Sequence, residues 1–80
     1  MMEYIHLLDA TLEHQNQRQS VTLQSIIGEE WEYTGNYRAI INGTSTTEFS
    51  IDENTLWIEK GKGHTELAKK LGSLIENYFE

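Results

Sequence analysis

Carboxylate side chains recur along the middle of this chain at a spacing that suits recognition of a basic partner. Residues two apart on a β-strand are separated by roughly 6.6 Å, because the strand rises by about 3.3 Å per residue. Successive phosphates of one nucleic acid strand have a similar separation, so a strand face lined with carboxylates can mimic phosphate groups. The alternative is a solvated sheet face whose charges protect an edge from aggregation. Six acidic residues carry this pattern: Glu30, Glu32, Glu48, Asp52, Glu53 and Glu59.

Trp57 is predicted to lie on the same acidic face. If its neighbours Leu56 and Ile58 take core positions, the indole ring points outward. Trp is enriched among the residues that dominate binding energy at interfaces, so an exposed Trp among carboxylates indicates a partner-binding site. The alternative is that the first segment or a loop folds over the ring. The predicted partner-binding residues are Glu30, Glu32, Glu48, Asp52, Trp57 and Glu59.

A second candidate site is a lysine cluster near the last helix. Gly61 and Gly63 flank Lys62, and a glycine-rich turn before a helix can present backbone N–H groups to an anion. The pattern is not a Walker A loop, because no Gly-Lys-Ser/Thr triplet is present. The alternative is that these lysines cap the helix and offset the negative charge of the protein. The lysine cluster consists of Lys60, Lys62, Lys69 and Lys70, four of the six basic residues.

The sequence predicts no catalytic or metal-binding pattern. His6, Asp9 and Glu13 would share one face of a helix, but they would need a further ligand from elsewhere to hold a metal. The chain has no cysteine, which excludes thiolate ligands and thiolate nucleophiles. No motif places a nucleophile beside a base. We therefore expect neither enzymatic activity nor a bound cofactor or metal.

The first segment, residues 3–27, is predicted to be one helix. Gly28 occupies the position at which many helices end. The polar stretch 14–20 interrupts the pattern and leaves two alternatives open, which are a second helix capped by Ser20 and a β-strand at 21–27. The residues near one helical stripe are Ile5, Leu8, Leu12, Gln19, Leu23 and Ile26.

The middle of the chain is predicted to form three β-strands. Its apolar residues alternate with polar ones, which is the period of a strand with one buried face. The first of these strands would be continuous, with a kink at Gly35. Its core-facing residues would be Trp31, Tyr33, Tyr37, Ala39 and Ile41.

The register of these strands depends on the turn at Asn42-Gly43, the strongest turn signal in the chain. A two-residue turn there would place the apolar sets of the two strands on opposite faces of the sheet. A three-residue loop, residues 42–44, brings the apolar sets together, so this register with a glycine bulge is predicted. With a second turn at 52–54, the predicted pairs are Tyr37–Phe49, Phe49–Ile58 and Ile51–Leu56.

The last segment, about residues 65–79, is the clearest predicted helix because its apolar residues form a wide stripe. The fold class is therefore α+β in the order α-β-β-β-α, within a single domain of residues 1–80. The two helices would pack on one face of a three-stranded antiparallel meander. The stripe consists of Leu67, Ala68, Leu71, Leu74, Ile75, Tyr78 and Phe79.

The α-β-β-β-α order, with lysines at the start of the second helix, resembles the double-stranded-RNA-binding domain. The resemblance covers most of the chain and depends on this topology and on the lysine cluster. It implies nucleic-acid binding through these lysines. The chain departs from the family at Glu66, which dilutes the basic helix start, at the loop 42–44, and in the sign of its net charge.

The net charge of −7 on 80 residues favours a basic partner and repels phosphate. Direct binding to nucleic acid is therefore disfavoured, and the predicted partner is the basic surface of a protein, including a nucleic-acid-binding one. No apolar run is long enough for a signal peptide or a membrane span. We therefore expect a cytoplasmic protein without membrane contact.

These features favour a small inhibitor or adaptor that docks its acidic sheet face on a basic protein. In size, charge and compactness the chain is similar to small acidic α/β proteins encoded by phages, such as many anti-CRISPR proteins. That resemblance implies a protein that blocks a nucleic-acid channel. The alternative is a homo-oligomeric assembly module, in which the first helix pairs two protomers as a homodimer.

Overall fold

A computed structural model describes residues 3–79 as a small α+β fold of five strands and one helix. The strands lie in a single antiparallel sheet in chain order, β1-β2-β3-β4-β5. The predicted α-β-β-β-α order, with three strands and two helices, is therefore wrong. The elements are β1 (Glu3–His14), β2 (Gln17–Ile27), β3 (Tyr33–Ile41), β4 (Ser45–Ile51), β5 (Trp57–Glu59) and α1 (Glu66–Phe79).

The predicted first helix is instead the hairpin of β1 and β2. The chain turns at Gln15 and Asn16, whose φ angles of 53° and 62° are those of a two-residue type I′ turn. The polar stretch 14–20, which interrupted the helical stripe, therefore contains the hairpin turn. The strand alternative at 21–27 was the correct one for that part of the chain. The homodimer through a first helix loses its structural basis.

A β-bulge explains why β1 has the apolar spacing of a helix. The register shifts between His6 and Leu8, so that Ile5 pairs with Ser25 and Leu8 pairs with Leu23. Because Ser25 and Leu23 lie on the same face of β2, residues three apart on β1 also share a face. A three-residue spacing is therefore compatible with this bulged strand as well as with a helix.

The turn between β3 and β4 confirms the predicted three-residue loop. Tyr37 pairs with Phe49, and Ile41 pairs with Ser45 across residues 42–44. The backbone N–H of Thr44 donates to the Ile41 carbonyl at 3.1 Å. Two neighbouring residues of the loop adopt left-handed φ angles, 53° at Asn42 and 74° at Gly43.

The predicted register between β4 and β5 is wrong by one residue. Phe49 pairs with Glu59 and Ile51 pairs with Trp57, because the turn extends over residues 52–56. The side chains of β5 are consequently reversed with respect to the prediction. Trp57 and Glu59 face the helix, whereas Leu56 is 54% exposed.

Helix α1 confirms the predicted last helix and packs on one face of the sheet. Thr65 caps it, because the Thr65 hydroxyl accepts a hydrogen bond from the Ala68 backbone N–H at 3.0 Å. No helix in residues 3–79 is long and apolar enough to span a membrane. The core between sheet and helix consists of Val21, Leu23, Tyr37, Ala39, Phe49, Leu71 and Ile75.

Candidate functional site

The predicted acidic residues do not form a single sheet face. Glu48 does point away from the helix, and Lys60 Nζ lies 3.8 Å from its carboxylate. The others are separated by the turns and by the register of β5. Glu30 and Glu32 lie in the loop before β3, Asp52 and Glu53 lie in the turn after β4, and Glu59 lies on the helix-facing side of β5.

Glu59 is a buried carboxylate that joins the edge of the sheet to the start of the helix. Its oxygens accept hydrogen bonds from the hydroxyls of Thr47 and Thr65, both at 2.7 Å, and Lys62 Nζ lies 3.2 Å away. Burial by itself raises the pKa of the Glu59 carboxyl, but these three partners outweigh it and hold the pKa below its ordinary value. These contacts stabilise the buried negative charge of Glu59, so the role of this residue is structural.

Asp52 organises the turn between β4 and β5. One carboxylate oxygen accepts hydrogen bonds from the backbone N–H groups of Asn54 and Leu56, each at 2.9 Å. The other lies 2.8 Å from His64 Nε2. The hydrogen bond with His64 and that from Leu56 lower the pKa of Asp52, so the carboxylate is ionised above acidic pH.

Trp57 lies between the sheet and the helix, not on an outer carboxylate face as predicted. Its ring centroid is 5.9 Å from that of Tyr37 and 5.6 Å from that of Phe49. Its Nε1–H donates to the Glu76 carboxylate at 2.9 Å. The indole therefore packs against the aromatic core, and its partly exposed surface lines the space beside Glu76.

Most of the lysine cluster contacts other groups of the same chain. Lys60 and Lys62 lie near Glu48 and Glu59, and Lys70 Nζ donates to the Glu13 carbonyl at 2.8 Å. The backbone N–H groups of Lys60, Lys62 and Gly63 donate to carbonyls of the same chain. With three of the lysines engaged and the topology different, the resemblance to the double-stranded-RNA-binding domain loses its basis.

One end of the molecule combines exposed apolar side chains with carboxylates, and the sequence analysis missed it. The loop 28–32 and the turn 52–56 lie there, because β2 and β4 end where β3 and β5 begin. The end of α1 lies there too, since Phe79 lines one groove with Tyr33 and Ile51. We call it the acidic-aromatic end. Its exposed apolar residues are Trp31, Tyr33, Ile51, Leu56, Tyr78 and Phe79, and its acidic residues are Glu29, Glu30, Glu32, Asp52, Glu53 and Glu76.

The acidic-aromatic end differs in composition from the rest of the surface. Among residues 3–79 eight large hydrophobic side chains are exposed, and six of them lie there. None of the six Lys and Arg residues, all of which the structure describes, lies in the loop 28–32, the turn 52–56 or the last turn of the helix. Apolar and negatively charged groups therefore dominate these three segments, and Lys69 and His64 lie beside them, in a pocket that Leu56 and Glu76 also line.

Trp31 is the most exposed apolar residue of this end, with 69% of its surface accessible. Its φ angle is 63°, in the left-handed region that bulky side chains rarely adopt. Its backbone N–H donates to the Gly28 carbonyl at 3.0 Å, which closes the loop. The prediction that Trp31 lies in a strand with its ring in the core is therefore wrong.

A groove of about 540 Å³ opens between the start of β3 and the end of α1. Burial raises the pKa of the Tyr33 hydroxyl, so this side chain is neutral at physiological pH. Within the described residues 3–79, Glu76 is the one charged side chain on the wall. The side chains that matter to its chemistry are those of Tyr33, Tyr37, Ile51, Trp57, Glu76 and Phe79.

The histidines form no metal centre in the described part of the chain, where no group of three or more His, Asp or Glu side chains is placed to hold an ion. His6 instead contacts Asp9 at 3.0 Å on the bulged strand β1. The candidate functional site is therefore the acidic-aromatic end, as a contact surface.

Searches with the chain gave no match to a protein-family model, a curated protein or a solved structure.

Proposed function

We propose that this protein is a non-enzymatic protein-binding module that docks its acidic-aromatic end on a basic surface of another protein in the cytoplasm. The observation that carries the proposal is the meeting, at one end, of exposed aromatic residues and carboxylates from three chain segments that contain no Lys or Arg. The proposed docking surface therefore lies at the strand ends and not on the sheet face predicted from the sequence.

The aromatic side chains would supply most of the binding energy. Trp and Tyr are enriched among the few residues that dominate affinity at interfaces, since each buries a large area at low entropic cost. Trp31 and Phe79 are more than half exposed, at 69% and 59%, and are available for such burial. Strained backbone in a folded protein is frequently found at functional sites, and the left-handed Trp31 fits that pattern.

The carboxylates would select the partner and accelerate encounter. Charge complementarity raises association rates and disfavours partners of the same sign, and the net charge of −7 acts in the same direction. Proteins that bind nucleic acid carry basic surfaces for phosphate, so they are the partner class that this surface fits best. An inhibitor or adaptor of such a protein, similar in type to phage-encoded anti-CRISPR proteins, is the role we propose.

A comparative capture experiment tests the proposal. The immobilised protein is exposed to a lysate of its native host, and each captured protein is quantified for wild type and for two variants. The first variant, Glu30→Lys with Glu32→Lys, reverses charge at the acidic-aromatic end. The control, Glu13→Lys with Asp9→Lys, makes the same charge change on strand β1.

We expect a basic partner to be captured by wild type and control but lost with the Glu30/Glu32 variant. Capture should also weaken as salt is raised, because exposed charges are screened within about 10 Å at 0.1 M ionic strength. If the same partner is captured equally by all three proteins, or is lost only with the β1 control, the proposed docking surface is wrong.

A further inference from the structure

We propose that the groove between Tyr33, Trp57 and Phe79 receives an arginine side chain of the partner. This inference rests on the proposed function and deepens it, because it names the chemical group that the acidic-aromatic end recognises. The groove supplies aromatic surfaces and one carboxylate. The aromatic surfaces suit the flat, weakly hydrated plane of a guanidinium group, and the carboxylate suits its fork of N–H donors.

The aromatic rings that line the groove pack against one another at steep angles, so the wall presents differently oriented rings to a guest. Tyr33 and Tyr37 are edge to face, with centroids 6.1 Å apart and planes at 69°. The ring planes of Tyr37 and Trp57 are inclined at 55°. Because the face of an aromatic ring carries negative electrostatic potential, a cation near several differently oriented rings is attracted by more than one of them.

The carboxylate of Glu76 gives the groove a negative charge. The Trp57 Nε1–H donates to Glu76 Oε1 at 2.9 Å, which holds the carboxylate beside the aromatic wall. A carboxylate has about four acceptor positions on its two oxygens, so this one bond leaves capacity for further donors. Among residues 3–79, no Lys, Arg or His side chain lines the groove, so a cationic guest meets attraction without a competing positive charge.

Arginine fits this combination better than lysine does. A guanidinium can stack on a ring and still direct two parallel N–H groups to a carboxylate, whereas an ammonium is a compact and strongly hydrated point charge. The same chemistry occurs within this protein, where the Arg38 guanidinium lies 3.6 Å from the ring centroid of Tyr4. Its Nε–H also donates to Gln24 at 2.8 Å.

A titration followed by NMR tests the groove independently of any partner. The full-length protein, labelled with ¹⁵N, is titrated with N-acetyl-arginine amide, with its neutral citrulline analogue and with N-acetyl-lysine amide. The two Trp residues give separate indole N–H signals, so Trp57 reports on the groove and Trp31 serves as an internal reference. We expect a saturable shift of the Trp57 signal with the arginine compound, and at least tenfold weaker binding of the citrulline compound.

Two matched variants localise the effect. Glu76→Gln keeps an acceptor for the Trp57 N–H and should weaken arginine binding about tenfold, the loss expected for one charge-assisted contact. Glu13→Gln, on the strand β1, removes the same charge elsewhere and should leave binding unchanged. Thermal unfolding of both variants confirms that the fold is retained.

Equal shifts with the arginine and citrulline compounds, or no saturable shift up to roughly 50 mM, would overturn the assignment of the groove. So would an unchanged arginine affinity in Glu76→Gln. The proposed function is judged separately, because Trp31, Glu30 and Glu32 do not line the groove. If capture is lost with the Glu30/Glu32 variant and the arginine titration fails, the docking surface is retained and only the arginine site is rejected.

Discussion

The indole ring of Trp57 lies directly against the backbone of helix α1 at Gly72. A Cβ atom built on Gly72 would lie 2.2 Å from Cγ of the indole, closer than carbon atoms approach without displacement. The absence of a side chain at Gly72 therefore allows the helix to rest on the aromatic ring. This contact couples the edge strand to the helix and forms one wall of the groove.

Gly72→Ala is expected to lower the free energy of unfolding by about 1–3 kcal/mol, the usual cost of overpacking a core. The loss arises because the ring and the helix must move apart. It occurs although Ala is a better helix former than Gly by about 1 kcal/mol. Chemical denaturation followed by Trp fluorescence measures the difference. The control Ser73→Ala, at the next and exposed position, should change stability by about 0.5 kcal/mol or less. A Gly72→Ala protein more stable than wild type would contradict the described packing.

Glu59→Gln is expected to destabilise the protein at neutral pH by about 1–3 kcal/mol, since charge-assisted hydrogen bonds from two threonines and a lysine are weakened. The folded-state pKa of Glu59 lies below the ordinary value of 4.5. Its stabilising contribution is therefore complete above that value and is lost as the pH falls through the lower, folded-state pKa. The stability gap between wild type and Glu59→Gln should consequently shrink below about pH 4.5.

Denaturation curves at several pH values, with Glu53→Gln as the exposed control in the neighbouring turn, measure this gap. A gap that grows on acidification would mean that Glu59 has a raised pKa, contrary to its three hydrogen-bonding partners. A gap of zero at neutral pH would mean that those partners contribute nothing to stability.

Ser25→Ala is expected to leave stability unchanged or to raise it by about 1 kcal/mol. The Ser25 hydroxyl is buried, and its oxygen has no hydrogen-bond partner among the described residues, so its removal relieves a desolvation cost. Thermal unfolding measures the effect, with Ser20→Ala on the exposed side of the same strand as reference. A loss of more than about 1 kcal/mol would show that the hydroxyl forms a hydrogen bond in solution.

Trp31→Gly is expected to weaken partner binding without destabilising the fold. Relief of the left-handed backbone strain offsets the greater freedom of glycine in the unfolded chain, so stability should be unchanged or rise by about 1 kcal/mol. Partner capture should fall at least tenfold, the loss typical of an interface hot spot. Gln15→Gly relieves the same backbone geometry at the β1–β2 turn and should leave capture intact. Equal capture by Trp31→Gly and Gln15→Gly would exclude Trp31 from the interface.

The parts of the fold that the sequence predicted correctly have strong local signals. The stripe of α1 is nearly uninterrupted, and Asn42-Gly43 together with the alternation around Tyr37 and Phe49 determines one register. The first hairpin was missed because a bulge near Leu7 gives β1 the spacing of a helix. That periodicity cannot distinguish the two structures without knowledge of the partner strand.

The register of β5 was missed for a different reason. Placing Leu56 and Ile58 in the core appears favourable on hydrophobicity alone, whereas the structure buries Trp57 and Glu59. Burial of Glu59 becomes acceptable only through the hydroxyls of Thr47 and Thr65, which are distant in sequence and converge in the fold. The sequence contained no local sign of that convergence.

The acidic-aromatic end was missed because strand ends, not strand faces, bring it together. One local signal was present, since the segment 28–32 contains three glutamates and a tryptophan beside a glycine. Recognising 3–27 as a hairpin would have placed this segment in a loop at the same end as the turn 52–56. The carboxylates of the predicted acidic face are thus distributed over loops and strand ends, because their positions depend on the topology of the whole sheet.

NMR mapping of the labelled protein with the captured partner bound tests the proposed docking surface most directly. We expect the largest chemical-shift changes and signal losses in residues 28–33, 52–56 and 76–79. Changes centred on the outer sheet face around Arg38 and Glu48, or on the lysine cluster, with the acidic-aromatic end unaffected, would contradict the proposed docking surface.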